Sequence, residues 1–280
     1  MIPTFVYLDT GSRILPHLKE GEFGIEIEMQ YSISTLEADT SARHRTVIYT
    51  DKPKRYEACA AEVIDVAMIP HLDFGRRSYV YRAKPSVLLH ALRKFGGVCV
   101  FLDSDTFVRP GFKSAVTSMI ANGALLWDLK SLPPYSDFPK DVAPCPNQAS
   151  HRPCTSGRTY GNSGVIGLKP GWGEAILEDA LHLIDEMRAR GNQIRTLEQS
   201  AIFEAVWLNG QNALDTKPWI EHYCTNSKKR YMHWQIKRLL RRYGRPLPPL
   251  QPCIKLTQPR VKLYQYYWDA KRTLARAKNG

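Results

Sequence analysis

Apolar residues in this chain fall into short unbroken runs separated by stretches of helical period. Thr4–Leu8 (TFVYL), Thr46–Thr50 (TVIYT) and Val98–Leu102 (VCVFL) read as buried strands, the last being the strongest. Ala61–Ala67 alternates loosely around Val63, Ile64 and Val66, and Gly164–Leu168 (GVIGL) is a further short strand. Between these runs the period lengthens. Glu26–Ala42 reads as a helix. Ser86 is placed to cap another, whose apolar face is Leu88, Leu92 and Phe95 and whose stop is Gly96 and Gly97. Glu174–Arg190 sets Leu177, Leu181, Ile184 and Met187 on one face and ends at Gly191. Thr196 opens a helix over Leu197–Leu208, with Gln199 three places on, the spacing of a capping box. Leu132–Pro153, rich in proline and polar residues, reads as a long loop.

Strands alternating with helices predict an α/β domain with a largely parallel sheet. Ligands of such sheets bind beyond the carboxyl ends of the strands. Asp9, Asp51 and Asp103 each follow a predicted strand and fall in that zone.

Composition narrows this modestly. At 43% hydrophobic and 24% charged residues the chain is ordinary for a globular protein. No apolar run approaches the roughly 20 residues that span a bilayer, and the N-terminal residues lack the pattern of a signal peptide. A cytoplasmic location is expected. The six cysteines form no C-x-x-C pair and read mostly as free thiols. Cys145 and Cys154 bracket His151, a conceivable zinc set whose spacing matches no recognised pattern. Net charge is +12, which suits anionic partners. Seven basic residues and no acidic one lie between Lys228 and Arg242.

The chemistry centres on FLDSDTFV. Side chains two apart on an extended chain point the same way, so Asp103 and Asp105 can converge. Two adjacent carboxylates repel unless a cation lies between them. Oxygen ligands select Mg²⁺ or Mn²⁺, ions that usually also take substrate phosphate oxygens. Three later segments follow in order: Asn162-Ser163-Gly164, Glu198-Gln199 and His222-Tyr223-Cys224-Thr225-Asn226-Ser227-Lys228.

With these motifs, from about Thr4 to Lys228, the chain resembles GT-A nucleotide-sugar glycosyltransferases. More closely it is similar to the retaining group that includes glycogenin and bacterial lipopolysaccharide galactosyl- and glucosyltransferases. The resemblance implies a Rossmann-like, mixed, mainly parallel sheet flanked by helices, with a helical or irregular C-terminal extension. It implies a metal (Mn²⁺ or Mg²⁺) held by Asp103, Asp105 and His222, a donor diphosphate met by the metal-binding aspartates and Lys228, and further donor contacts from Ser104 and Lys84. Asn162 and Ser163 would touch the donor sugar. Tyr7 and Asp9, beside Gly11, would bind the nucleoside, Tyr7 by stacking on the base. Gln199 would lie near the reacting carbon. Glu198 stands where the family often has aspartate, and is the candidate base if the reaction inverts. Thr225 replaces a family glycine. The implied activity is hexosyl transfer from a nucleotide-diphosphate sugar, UDP by family habit, to a glycan or lipid-linked saccharide.

Beyond the domain over residues 1–227, residues 228–280 form a basic amphipathic helix and tail. Met232, Ile236, Leu239, Leu240 and Tyr243 make one stripe, with Trp234 nearby, which suits peripheral contact of 228–243 with the inner face of an anionic membrane or packing on the domain. The cluster Tyr264, Tyr266, Tyr267 and Trp268 is left open between an acceptor groove, a core cover and a dimer contact. Two rivals are weighed. A sugar-phosphate nucleotidyltransferase needs a glycine-rich basic loop after the first strand, of which residues 10–24 are a poor version. A non-catalytic basic protein binding membrane or nucleic acid leaves Asp103, Asn162 and His222 as coincidences.

Overall fold

A computed structural model describes residues 2–10, 25–69, 80–131, 143–148, 159–192, 194 and 196–279. Gly11, His151, Cys154 and most of the Leu132–Pro153 loop lie outside them. Seven strands make the main sheet: β1 (Thr4–Asp9), β2 (Arg45–Thr50), β3 (Glu62–Asp65), β4 (Cys99–Leu102), β6 (Ala124–Ser131), β7 (Thr159–Leu168) and β8 (Ala213–Asp215). Their order is β3-β2-β1-β4-β7-β6-β8, and β5 (Thr106–Val108) pairs with β9 (Ile220–His222) in a small second sheet. Only β7 among the main strands runs against its neighbours. The expected mixed, mainly parallel α/β sheet is thus the one found.

Alternation along the strands divides the core. Val6, Val47, Tyr49, Phe101, Leu126 and Ile166 face one side, where they pack on α2 (Ala83–Phe95), α4 (Trp172–Ala189) and α5 (Leu197–Leu208). Phe5, Tyr7, Ile48, Val100, Leu125 and Val165 face the other, beneath α1 (Ile25–Ala38) and α3 (Phe112–Met119). Gly96 and Gly191 take the left-handed backbone that closes α2 and α4. The expected capping box at Thr196 does not form: the Gln199 N–H is taken by the Thr196 carbonyl at 3.1 Å, and the Gln199 side chain turns away to Tyr160 and Ser163.

A third cluster lies outside α1. Ile27 and Tyr31 of α1 meet Phe107, Tyr223, α6 (Asn226–Tyr243) and α7 (Gln258–Asn279). The α6 stripe faces inward: Met232 and Ile236 are wholly buried, and Leu239 and Leu240 pack at the cluster's margin. All of the stripe but Tyr243, which is exposed, is therefore taken by the protein itself. The connection from α6 to α7 crosses α1, with the Leu250 N–H donating to the Ser34 carbonyl at 3.1 Å and Gln251 donating to that of Ala38 at 2.8 Å. Among the described residues no helix is long and apolar enough to cross a membrane.

Three boundaries differ from expectation. α2 starts at Ala83, so Ser86 lies inside it and donates back to the Arg82 carbonyl at 3.0 Å instead of capping. α1 ends at Ala38, not Ala42, because Asp39 leaves the helix to accept from the N–H groups of Ser41 (3.1 Å), Gly111 (3.1 Å) and Lys113 (2.9 Å). Two of those donors open α3, whose own preceding residue, Gly111, has no side chain to cap it. β7 is longer than expected, and Asn162-Ser163-Gly164 lies inside it as an irregularity in the pairing with β6, not as a free turn. Cys145 is buried, its Sγ 4.0 Å from the Asp179 carbonyl oxygen, and Cys59, Cys99, Cys145, Cys224 and Cys253 are free thiols.

Asp39 yields a stability test. Burial alone would raise its pKa, but the N–H donors of Lys113, Ser41 and Gly111 hold it below the usual value. A depressed folded pKa stabilises the native state above the unfolded value and is lost as pH falls through the folded one. Chemical denaturation of Asp39→Ala should show a loss of about 2 kcal/mol at neutral pH, as for hydrogen bonds to a charged acceptor. The gap to wild type should narrow below about pH 4, where aspartate ordinarily protonates.

Candidate functional site

The site forms at the carboxyl ends of β1 and β4. β7 runs the other way, so its early residues, Asn162 to Gly164, reach the same end: Leu102 stands opposite Val165, and the Asp103 N–H donates to the Gly164 carbonyl at 2.8 Å. Pairing of β5 with β9 sets Thr106 opposite His222, and the Tyr223 N–H donates to the Asp105 carbonyl at 3.0 Å. Sheet register thereby brings together residues more than a hundred positions apart.

Asp103, Asp105 and His222 each direct a ligand atom into one space, those atoms lying within 4.8 Å of one another. His222 Nε2 is 3.1 Å from Asp105 Oδ1 and 3.8 Å from Asp103 Oδ2. The ring is held edge-on to Trp127, with centroids 5.0 Å apart, and Trp127 is pinned by donating to the Ile220 carbonyl. Gly164 makes room for it: a Cβ there would fall 2.4 Å from His222 Cε1. Two carboxylates and an imidazole nitrogen suit a divalent ion such as Mn²⁺ or Mg²⁺. The donor set fits.

Each carboxylate already has an ammonium. Lys84 Nζ lies 2.8 Å from Asp103 Oδ1, and Lys229 Nζ lies 2.6 Å from Asp105 Oδ2. Burial would raise the Asp105 pKa, but His222 and Lys229 outweigh it and hold the carboxyl well below the usual range. Burial also works against the charged forms of His222 and Lys229, yet Asp105 leaves both raised.

A second tier positions these groups. Glu28, buried in α1, accepts from Ser104 at 3.0 Å and pairs with His233 at 2.7 Å. It also lies 3.8 Å from Lys229. From below, Thr106 donates to the Asp103 carbonyl at 2.8 Å. Its hydroxyl proton being spent there, the Ser32 contact (3.2 Å) must have Ser32 donating, and the Tyr7 hydroxyl in turn donates to Ser32 (2.9 Å). Tyr7 is thus a fully buried support of the aspartate turn, not a base-stacking ring. Asp9, also buried, accepts from Tyr56 at 2.7 Å and lies 3.7 Å from Arg55.

The Lys84 ammonium also reaches Glu198, 3.8 Å away, and Glu198 accepts from Ser163 at 2.9 Å. Gln199 accepts from the Ser163 N–H at 3.3 Å and donates to Tyr160 at 2.6 Å. Asn162 spends its side-chain oxygen on the Gly164 N–H at 2.7 Å. Leu8, Thr10, Ile25, Tyr81, Lys84 and Phe101 line an open cleft that ends on Asp103, Ser104 and Asp105. Lys228, the lysine expected here, is not brought in: it pairs with Glu221 at 3.2 Å. One residue of helix turn makes the difference, because α6 begins at Asn226 and swings Lys229 inward. Spacing from His222 does not reveal this, but the heptad-like row Lys229, Met232, His233, Ile236 does.

No family model matches the chain, and no curated protein matches it in sequence. In structure it is similar to a solved glycosyltransferase described as involved in glycosylation of the major capsid of PBCV-1. That likeness has a TM-score of 0.45 and 15% identity, and covers 85% of this chain and 100% of the other. It is too slight to assign chemistry.

Since Lys229 occupies Asp105, an entering metal must displace an ammonium. Lys229→Met should lower the melting temperature without metal, because breaking a buried pair costs on the order of 3 kcal/mol. Added Mn²⁺ should then stabilise the variant more than wild type, read by thermal shift. Lys228→Met should behave as wild type in both conditions.

Proposed function

We propose that this protein is a metal-dependent glycosyltransferase of the GT-A type, moving a hexosyl group from a nucleotide-diphosphate donor, UDP first among them, to a hydroxyl of a glycan or lipid-linked saccharide. The observation that carries the reading is the convergence of Asp103, Asp105 and His222 between two lysines at the carboxyl end of the sheet. A diphosphate needs a cation and ammonium groups at one point, and this arrangement supplies ligands for the first and both of the second.

Asp103, Asp105 and His222 would hold Mn²⁺ or Mg²⁺, which when bound neutralises charge on the leaving diphosphate. Lys84 and Lys229, drawn from their carboxylates, would bind phosphate oxygens, and developing charge would make those contacts strengthen as the sugar departs. Lys229 replaces Lys228 in this role. Ser104 borders the donor cleft, whereas Asp9, buried and accepting from Tyr56, does not line it and is not assigned to the nucleoside. Asn162 and Ser163 would orient the sugar, and the Gln199 side chain, fixed by Ser163 and Tyr160, would lie beside the reacting carbon. Glu198 shares Lys84 with Asp103 and keeps that lysine centred. We assign retention, with the acceptor hydroxyl attacking on the leaving-group face.

The test is nucleotide release from a panel of nucleotide sugars with and without Mn²⁺. One donor should be hydrolysed slowly, only with metal, and not at all by Asp103→Ala/Asp105→Ala. Lys229→Met should reduce turnover by roughly a hundredfold or more, the scale for losing one transition-state donor, while Lys228→Met stays near wild type. The anomeric configuration of product by NMR reports on retention. Failure of UDP with Mn²⁺ to stabilise the protein in thermal shift, together with no release from any donor, would sink the proposal.

A further inference from the structure

Charge in this chain is partitioned by segment. Residues 228–280 hold fifteen of the 39 lysines and arginines but only one, Asp269, of the 27 acidic residues. The whole net charge of +12 therefore belongs to α6, α7 and their connection, and the residues before them are slightly acidic.

α7 has two apolar sides. Val261 and Tyr264 point toward α6, with Trp268 following one turn on beside Tyr264: Val261 is buried, and the Tyr264 ring lies 5.7 Å from that of Tyr231 and 5.4 Å from that of Trp234. At about 100° per residue, Leu263, Tyr266, Tyr267 and Ala270 fall on the opposite side. That side is bare, with Leu263 and Tyr266 each 71% and Tyr267 60% exposed. Arg260 and Lys271 run along one flank of this row and Lys262 along the other, with the one acid, Asp269, behind Lys262, all exposed. Among the described residues, the remaining large exposed apolar side chains are scattered along the chain: Ile2, Met68, Ile194, Trp207 and Tyr243.

We propose that the outward face of α7 docks on the surface of an anionic lipid bilayer. Leu263, Tyr266 and Tyr267 enter the headgroup region, and the flanking Arg260, Lys262 and Lys271 meet lipid phosphates. The face is the convex side of a helix and offers no groove for a peptide. Tyrosine suits the boundary between headgroups and acyl chains, having an apolar ring and a polar tip. Bare leucine gains little from a nucleic acid backbone but gains from the acyl boundary. Basic side chains on both flanks match a surface of negative charge, as in helices that lie in the interface plane. The surface lies on α7, not on the α6 stripe, and the inference is independent of the glycosyl-transfer reading.

The experiment is co-sedimentation of the full chain with phosphatidylcholine vesicles, alone or containing one-third phosphatidylglycerol, at low and high salt. Binding is expected on the anionic vesicles only, weakened by salt. The variant Leu263→Ser/Tyr266→Ser/Tyr267→Ser should bind at least roughly tenfold more weakly, as lost apolar contact requires, with its circular dichroism and any nucleotide release unchanged. Lys262→Gln/Lys271→Gln should lose affinity for anionic vesicles at low salt. No binding to anionic vesicles at low salt overturns the proposal, as does a triple serine variant that binds like wild type. A dimer in light scattering that the serine variant abolishes, without vesicle binding, would assign the face to a second copy instead.

Discussion

Four carboxylates, those of Glu28, Asp103, Asp105 and Glu198, crowd the carboxyl end of the sheet, and all but Asp103 are nearly inaccessible to water. Like charges at this spacing in a poorly hydrated space cannot coexist without cations. The arrangement of the rest of the chain answers that constraint. Lys84 comes from the first turn of α2 and stands between Asp103 and Glu198. Lys229 and His233, one turn apart on α6, come to Asp105 and Glu28. His222 comes from β9.

The demand for α6 has consequences further out. To deliver Lys229 and His233, that helix must lie against α1 on the side bearing Glu28, and its apolar stripe is spent on Ile27, Tyr31 and Phe107 in doing so. The site consequently draws on both sides of residue 227, the end of the domain as read from sequence. α7 then packs on α6 through one of its two apolar sides and keeps the other outside. The interior charges and the bare outer face are thus linked through a single helix.

Much of this is legible without coordinates. Strands such as TVIYT and VCVFL are buried on both faces and read as continuous apolar runs, so their positions are secure. α2 and α4 carry clear apolar faces and glycine stops. The proximity of Asp103 to Asp105 follows from strand geometry alone. What is hidden depends on side chains that reach across elements. The carboxylate of Asp39 ends α1 because it serves α3, a partner more than seventy residues away. Tyr7 has the composition of a stacking residue, but a β-strand alternates, and at its position the alternation points into the core beneath α1. Asn162-Ser163-Gly164 has the composition of a turn, yet the backbone continues the strand because Asn162 satisfies the Gly164 N–H locally.

The lysine pair shows why residue spacing is a poor guide to a charged site. His222 to Lys228 keeps the interval of a known motif, but an interval fixes a position only if the intervening backbone is fixed. Here Thr225 stands where a glycine would permit a different path, and with Thr225 extended the helix starts at once. From that start, one residue of rotation, about 100°, decides which ammonium faces Asp105. Lys229 then shares a face with Met232, His233 and Ile236, all of them buried, whereas Lys228 turns outward to Glu221. The energy of burying Met232 and Ile236 fixes the helix's rotation. Apolar packing and the charge demand of the carboxylates thus select the same lysine, through one rotation of one helix.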